Sequence, residues 1–546
     1  MALSISTKEV AKGTMWSLAG NVFVKLVSFF YLIFLTAVAS QDDIGVFYLA
    51  LSLLTFANLF VEIISSSFSR FIPFFRARGE GKKIQKLLKV GFGATSLISL
   101  IVSIAIYFLA GTISDFYSTP DLKNVIEILS GYVFLCTIFN LSATVLRSMK
   151  LMRNQAIIFN VQNLSKLVLL IILSVMLGTN LFTITVSFLL SYLVSVIVSF
   201  FFMRGALTQL SKEPAGADIS YTSLLAEVIP FGLMLTATSS LWTIIGSADK
   251  AMLGYFMTSS DVAIYTIATS LSVLILLFPS AISSIFFPIV SQLFGQKKMD
   301  EVRAICGTSM RWLLFVTIPF TIVFTVFSYD LLTLFYGNEY GIGGTAMALF
   351  TMGLLIRSLS DAPSLVLASM RLVKIELMVA AFVLTMNIIL NFLLIPSFGI
   401  DGAALASLLS FTTCTILIFY YARKFFDFRL SIGMLKLILA GAISCIILYA
   451  AKSYLISIIS FMPDLGDEWA MLYLGKVIKL AILAIFFFVC VLVFGITSLL
   501  LKSFKHEDLD VMKGAMRKAK ILPEPVIAFT CQIISYGISD NDAHIY

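Results

Sequence analysis

The sequence predicts an all-α membrane protein with about 14 transmembrane helices. They form two parallel six-helix repeats around a central cavity, with two extra C-terminal helices. Three observations predict it: long continuous apolar runs, basic residues gathered on one side, and an internal repeat. The 546 residues are 59% hydrophobic and 12% charged, with a mean hydropathy of +1.01. Soluble domains carry roughly 25% charged residues, so this composition would not keep a globule dissolved. In hydrocarbon a backbone must satisfy its own hydrogen bonds, and a helix of ~20 apolar residues does so. The period-two alternation of a membrane barrel is absent.

Apolar runs fall at 14–39, 46–72, 87–112, 125–147, 157–177, 181–203, 226–248, 262–289, 306–328, 343–370, 375–396, 400–421, 433–457 and 471–501. The first is too long for a removable signal segment and no small-residue cleavage site follows it, so it is predicted to span. Placing the N-terminus inside and alternating sides puts 30 of the 38 lysines and arginines in cytoplasmic segments. Cytoplasmic loops collect such residues, so the bias predicts a plasma or inner membrane protein with both termini cytoplasmic.

The repeat is read from short matches. Asp43-Ile44-Gly45-Val46-Phe47 returns as Asp261-Val262-Ala263-Ile264-Tyr265, 218 positions later. Ser148-Met149-Lys150-Leu151-Met152-Arg153 returns as Ser369-Met370-Arg371-Leu372-Val373-Lys374, offset by 221. Pro73 and Pro288 are expected to end corresponding helices before basic loops. An even number of spans per repeat makes the copies parallel, related by an axis along the membrane normal. The expected domains are an N-terminal bundle at 1–210 and a C-terminal bundle at 211–430. Two additional spans at 431–501 and a cytoplasmic tail at 502–546 follow. Within the tail, Leu509, Met512, Met516 and Ala519 lie at helical spacing against Lys513, Arg517 and Lys518, which suits an amphipathic helix on the anionic inner leaflet.

The net charge of +8 follows the loops and predicts no nucleic-acid partner. Both histidines, His506 and His544, sit in the tail, and no P-loop motif occurs, so neither metal chemistry nor ATP hydrolysis is expected within the spans. The six cysteines, from Cys136 to Cys531, are too scattered for a disulfide framework. The informative residues are charges inside spans, where an ionised side chain is unfavourable by several kcal/mol. Lys25 lies near the middle of span one with no acid a turn away, which suits a cavity cation facing an anion. Arg357 and Asp361 are four apart in span ten, on one helical face, where they can pair with each other. Glu62 is placed to partner Lys25. Asp249 and Lys250 close span seven at its outer end. Lys166, in span five, reads equally as a snorkelling or interface residue. The candidate substrate-binding set is therefore Lys25, Arg357, Glu62, Asp361, Asp249 and Lys250, with no catalytic residue, no metal site and no cofactor beyond a coupling ion, proton or sodium.

Arg70-Phe71-Ile72-Pro73 followed by Arg76-Ala77-Arg78-Gly79-Glu80 resembles the first cytoplasmic loop of polysaccharide-transporter flippases. These are a branch of the multidrug/oligosaccharidyl-lipid/polysaccharide exporter superfamily. Ser247-Ala248-Asp249-Lys250-Ala251-Met252-Leu253-Gly254-Tyr255-Phe256, then Ser260-Asp261-Val262-Ala263-Ile264-Tyr265, is similar to that family's connection between spans seven and eight. The resemblance covers residues 10–430. It implies transport of a lipid-linked sugar on a polyprenyl phosphate carrier from the cytoplasmic to the outer leaflet, by alternating access of two bundles. It also implies membrane lipids and cell-envelope glycan biosynthesis enzymes as partners. A drug or metabolite cation antiporter of the same superfamily would lean on Glu62 and Asp361 instead. A non-transporting scaffold of envelope assembly is the third reading.

Overall fold

Helix follows helix throughout the computed structural model, which describes residues 7–59, 62–211, 220–460 and 469–503. The elements are α1 (Thr7–Val38), α2 (Gln41–Leu59), α3 (Glu62–Ala77), α4 (Gly81–Phe116), α5 (Asp121–Ser148), α6 (Met152–Leu177), α7 (Leu181–Ser211) and α8 (Tyr221–Phe256). They continue with α9 (Ser259–Ser272), α10 (Leu277–Gly295), α11 (Met299–Val326), α12 (Ser328–Tyr336), α13 (Gly344–Ser358), α14 (Asp361–Ser369), α15 (Val373–Phe426), α16 (Ile432–Ser460) and α17 (Trp469–Leu500). No strand occurs among the described residues.

Among the described residues, the predicted runs fall on these helices. Twelve stretches among the described residues are long and apolar enough to cross a bilayer. One of them, α15, has 54 residues. At 1.5 Å per residue it would be far longer than the ~30 Å hydrocarbon layer. It holds two predicted spans, divided at Gly399, whose φ of 56° and ψ of −133° are not helical. The predicted seventh span coincides with α8, of 36 residues. Large apolar side chains such as Phe108, Val175, Phe201 and Leu500 stand exposed, as lipid contact requires and water disfavours.

The repeat is written into the backbone at its turns. Ser40 and Thr258, 218 apart, cap α2 and α9: the hydroxyl of each accepts a bond from the amide three residues on, at 3.1 and 3.3 Å. Gly79 and Lys297, also 218 apart, both have positive φ, 67° and 61°, between α3 and α4 and between α10 and α11. Lys150 and Arg371 share a φ of 63° in the turns that leave α5 and α14. The next amides there, Leu151 and Leu372, reach back to the carbonyls of Leu146 and Leu367 at 2.9 and 3.0 Å, the bond pattern that satisfies orphan helix-end carbonyls. Gly178 and Gly399, again 221 apart, are both left-handed in φ, at 77° and 56°. Where Lys150, Lys297 and Arg371 occupy such positions, a positively charged side chain sits beside a helix C-terminus, which the helix dipole favours.

The prolines behave otherwise than expected. Pro73 lies inside α3 and Pro288 inside α10, and both helices continue past them. A proline removes one hydrogen bond without ending a helix when neighbouring helices hold the following turn. The amphipathic stretch at 504–520, both histidines and Cys531 lie outside the described residues.

The chain divides into two compact units: Met1–Ile267 with Ala380–Ala406, and Ala268–Val379 with Ser407–Tyr546. In the first, Phe68, Ile72 and Phe75 of α3 pack with Ile84 and Leu87 of α4, Phe139 and Val145 of α5, and Leu224 of α8. Ser187, Ser191, Ser195 and Ser199 are wholly buried along one face of α7; small residues at that spacing let helices approach closely. In the second, α11 carries α16 and α17 through Phe315–Phe494 and Phe320–Phe487 ring contacts and the close fit of Gly441 against Ile318. Lys452 of α16 bonds Asp330 of α12 at 2.8 Å.

Candidate functional site

The predicted site residues separate into two groups. Lys25, Glu62, Asp249 and Lys250 belong to the first unit, Arg357 and Asp361 to the second.

Asp249 is not a helix-end residue. It lies seven residues before the end of α8 and is 2% exposed. Its carboxylate is held from two sides: the Tyr265 hydroxyl donates to Oδ2 and the Asn391 side-chain amide donates to Oδ1, both at 2.7 Å. Asn391 also donates to Oδ1 of Asn387 at 3.2 Å. Asn387 and Asn391 are fully buried, yet Nδ2 of Asn387 and Oδ1 of Asn391 have no partner. Asp249, Tyr265, Asn387 and Asn391 thus form one buried, hydrogen-bonded polar cluster. No group of three or more His, Cys, Asp or Glu residues that could hold a metal occurs among the described residues. The two asparagines, four apart in an apolar run, were the sequence signal for this site, and it went unread.

Lys250, one residue on, points elsewhere: its ammonium lies 6.0 Å from the ring centre of Tyr48 in α2. Lys166 of α6 lies 4.2 Å from the ring of Tyr31 in α1, so it sits at a helix interface, one of the two places its sequence allowed. Tyr31 and Tyr48 are near enough to interact electrostatically. Between α1 and α6, the Ser28 hydroxyl donates to Asn163 at 3.1 Å, and Gly20 meets Ala156 so closely that a Cβ would lie 2.9 Å from it. Lys25 is half-buried on α1 and has no ion pair among the described residues. Glu62 opens α3, but its side chain lies outside the described residues, so the pairing expected with Lys25 is not placed.

Arg357 and Asp361 do not share one helix. Arg357 is in the last turn of α13 and Asp361 opens α14, because the chain turns at Leu359-Ser360. The Arg357 carbonyl accepts bonds from the amide and hydroxyl of Ser360, at 2.9 and 2.6 Å. The two charges still interact electrostatically, and Glu376, in the first turn of α15, feels both. The Arg357 guanidinium lies 5.6 Å from the ring centre of Phe411. This group therefore has two carboxylates for one guanidinium, and Glu376 was the member that sequence reasoning missed.

The seam between α2 and the start of α9 is tight. The Ser260 hydroxyl donates to Asp42 at 2.8 Å. At Gly45 a Cβ would lie 1.8 Å from the Ser259 carbonyl oxygen, so only glycine fits there.

Over 172 residues the chain is 33% identical to "Probable flippase AglR" of Haloferax volcanii, covering 31% of this chain and 36% of that protein. Over 201 residues it is 27% identical to "Probable low-salt glycan biosynthesis flippase Agl15" of the same organism, covering 36% of this chain and 43% of that one. The matched segments thus span about two-fifths of these relatives. A solved structure, "Lipid II flippase MurJ, inward closed conformation", superposes with a TM-score of 0.65 at 17% identity, covering 88% of this chain and 98% of the other; the two share a fold. The profile of the polysaccharide biosynthesis protein family matches residues 34–341, more than half the chain. A multi-pass helical membrane protein with buried charges inside its helices and this match belongs to the polysaccharide biosynthesis protein family.

Proposed function

We propose that this chain is a flippase moving a lipid-linked oligosaccharide or polysaccharide precursor from the cytoplasmic to the outer leaflet by alternating access. It works in the cell membrane with both termini cytoplasmic, alongside glycan biosynthesis enzymes that make its substrate. The observation that carries this reading is Lys25, a half-buried ammonium group in the first span with no ion pair among the described residues. A phosphate crossing the bilayer loses its hydration, and a cation at that depth offsets the loss while the prenyl tail stays in lipid. Family membership and the names of the relatives agree with it. The 1–210 and 211–430 bundles would be the moving bodies, and Arg357 a second contact, weakened by Asp361 and Glu376. The coupling ion is sodium or a proton, carried by Asp249.

Cells lacking the protein should accumulate lipid-linked saccharide on the cytoplasmic side, read by extracting and profiling those lipids. Restoring the chain should clear the pool; Lys25→Arg should clear part of it and Lys25→Ala little, at equal membrane abundance. Arg357→Ala should act in the same direction but more weakly. Unchanged pools in the deletion strain would refute the flippase reading. Full complementation by Lys25→Ala would remove Lys25 from it.

A further inference from the structure

A cavity of about 490 Å³ opens in the first unit, lined by Asp43 of α2, by Asp121, Asn124 and Glu127 of α5, and by Asn180 and Phe182 where α7 begins. Its volume lies in the range of small-molecule sites, ~300–1,000 Å³. Asp43 is in the first turn of α2 and Asp121 opens α5, so three helices begin at its rim. Among the described residues, no hydrogen bond or ion pair takes up the Asp43 and Asp121 carboxylates or the Asn124 amide. Glu127 has only a long pair, 3.9 Å, with Lys123. Oδ1 of Asn180 accepts from the amide and hydroxyl of Thr183, at 2.9 and 3.0 Å, which leaves its NH2 group as a spare donor. The internal repeat supplies a comparison. Asp261, 218 positions after Asp43, closes a capping box: its Oδ2 accepts from the Thr258 amide and hydroxyl, at 3.0 and 2.6 Å, and its own amide donates to the Thr258 hydroxyl. In the first half the Asp43 amide donates to Ser40 at 3.1 Å, but the carboxylate does not return the bond and lines the cavity instead. Asp43 forgoes the structural use that its counterpart has.

Charge and spacing select the ligand. No group of three or more His, Cys, Asp or Glu residues that could hold a metal occurs among the described residues, so Asp43, Asp121 and Glu127 ring a space wider than an ion. Their charges disfavour an anion. They do not make the cavity strongly negative, because each helix N-terminus carries roughly half a positive charge and the Lys123 ammonium lies beside Glu127. Three carboxylates are thus nearly balanced by three helix ends and one lysine. The molecule that suits this balance is uncharged and both gives and takes hydrogen bonds. A sugar ring does so: its hydroxyls donate to the carboxylates and accept from the amides of Asn124 and Asn180. Its C–H face packs on an aromatic ring, and Phe182 stands 55% exposed at the cavity.

We propose that the cavity where α2, α5 and α7 begin binds an uncharged sugar ring, with Asp43 and Asp121 accepting from its hydroxyls and Phe182 against its C–H face. On the topology proposed above, these helix ends lie on the outer side, where the glycan of a flipped lipid emerges. The source of the sugar rests on the flippase reading; its chemical class does not. The test uses the full-length protein in phosphatidylcholine nanodiscs, with binding read by saturation-transfer NMR and titration. The probes are glucose and N-acetylglucosamine, which are neutral, protonated glucosamine and glucuronate. The neutral sugars should bind, and glucuronate should bind at least about tenfold more weakly. Asp43→Asn and Asp121→Asn should each weaken the neutral sugars about tenfold at an unchanged Tm. Asp261→Asn should do the reverse, lowering the Tm through its lost cap and leaving sugar affinity as it was. Binding of glucosamine alone would make the cavity a cation site and overturn the sugar assignment. Binding of no probe, or unchanged affinity in both Asp→Asn variants, would overturn the site itself. Lipid-linked saccharide pools in the deletion strain report separately. If they accumulate while no sugar binds, only this site falls; if sugar binds through Asp43 and no pool accumulates, only the flippase reading falls.

Discussion

Gly45→Ala is the smallest change that should open the seam between α2 and the start of α9. The added Cβ would lie 1.8 Å from the Ser259 carbonyl oxygen and 2.4 Å from its carbon, against the 3.0 Å that real Cβ atoms respect, so the two backbones must part by about 1.2 Å. That separation also strains the 2.8 Å bond from Ser260 to Asp42, a few residues away. Overpacking of this kind costs about 1–3 kcal/mol, a shift of roughly 5- to 150-fold in any equilibrium that the contact biases. Gly93 and Gly111 of α4 have nothing within 4 Å of a built Cβ. Alanine there should be neutral or slightly stabilising, since glycine within a helix is about 1 kcal/mol worse than alanine. The assay is oxidative cross-linking of an Asp42→Cys/Ser260→Cys pair, with and without Gly45→Ala, followed by thermal unfolding in detergent. The expected result is slower cross-linking and a lower Tm for Gly45→Ala alone. Equal cross-linking and an equal Tm for Gly45→Ala and Gly93→Ala would show that the backbones part without loss, and the reasoning would fail.

The remaining predictions follow from single residues. Gly399→Ala forces a side chain into φ 56°, ψ −133°, a conformation costing about 1–3 kcal/mol for other residues; thermal unfolding should show a lower Tm, and no change would mean the turn relaxes freely. Sodium should raise the Tm of the parent chain by mass action and should lose that effect in Asp249→Asn; an equal rise in both would place the cation elsewhere. On a cysteine-free background, a cysteine at Asp121 should be labelled from outside intact cells and one at Gly81 protected; the reverse pattern would invert the topology.

The helices were legible because each apolar run is long enough to be nothing else in a membrane. The repeat was legible because turns tolerate few residues: Lys150 and Arg371 sit at one φ in two turns of matching sequence. The pause in hydrophobicity between 396 and 400 marks the kink at Gly399, where the backbone leaves helical geometry. The prolines misled, since Pro73 and Pro288 fall inside helices that continue past them. Side-chain partners were the illegible part. Asp249 and Asn391 lie 142 residues apart, and Lys166 finds an aromatic ring on a distant helix; no periodicity along one segment reports a meeting between two. Arg357 and Asp361 stay within electrostatic reach across Leu359-Ser360, whose φ and ψ remain helical, as their four-residue spacing implied.

The bond from Ser260 to Asp42 joins residues that are 218 apart, the same offset that relates the two halves of the chain. The residues in contact are thus counterparts. In a chain with an internal repeat, such a contact places a residue directly against its own counterpart. Here the two copies are each other's surroundings. A chain with identical halves would set aspartate against aspartate, two carboxylates at hydrogen-bond distance and mutually repelling, or serine against serine, a neutral and weaker pair. The present pairing, one donor and one charged acceptor, exists only because the halves differ at this position. A symmetric dimer of separate, identical six-helix chains could not reproduce it.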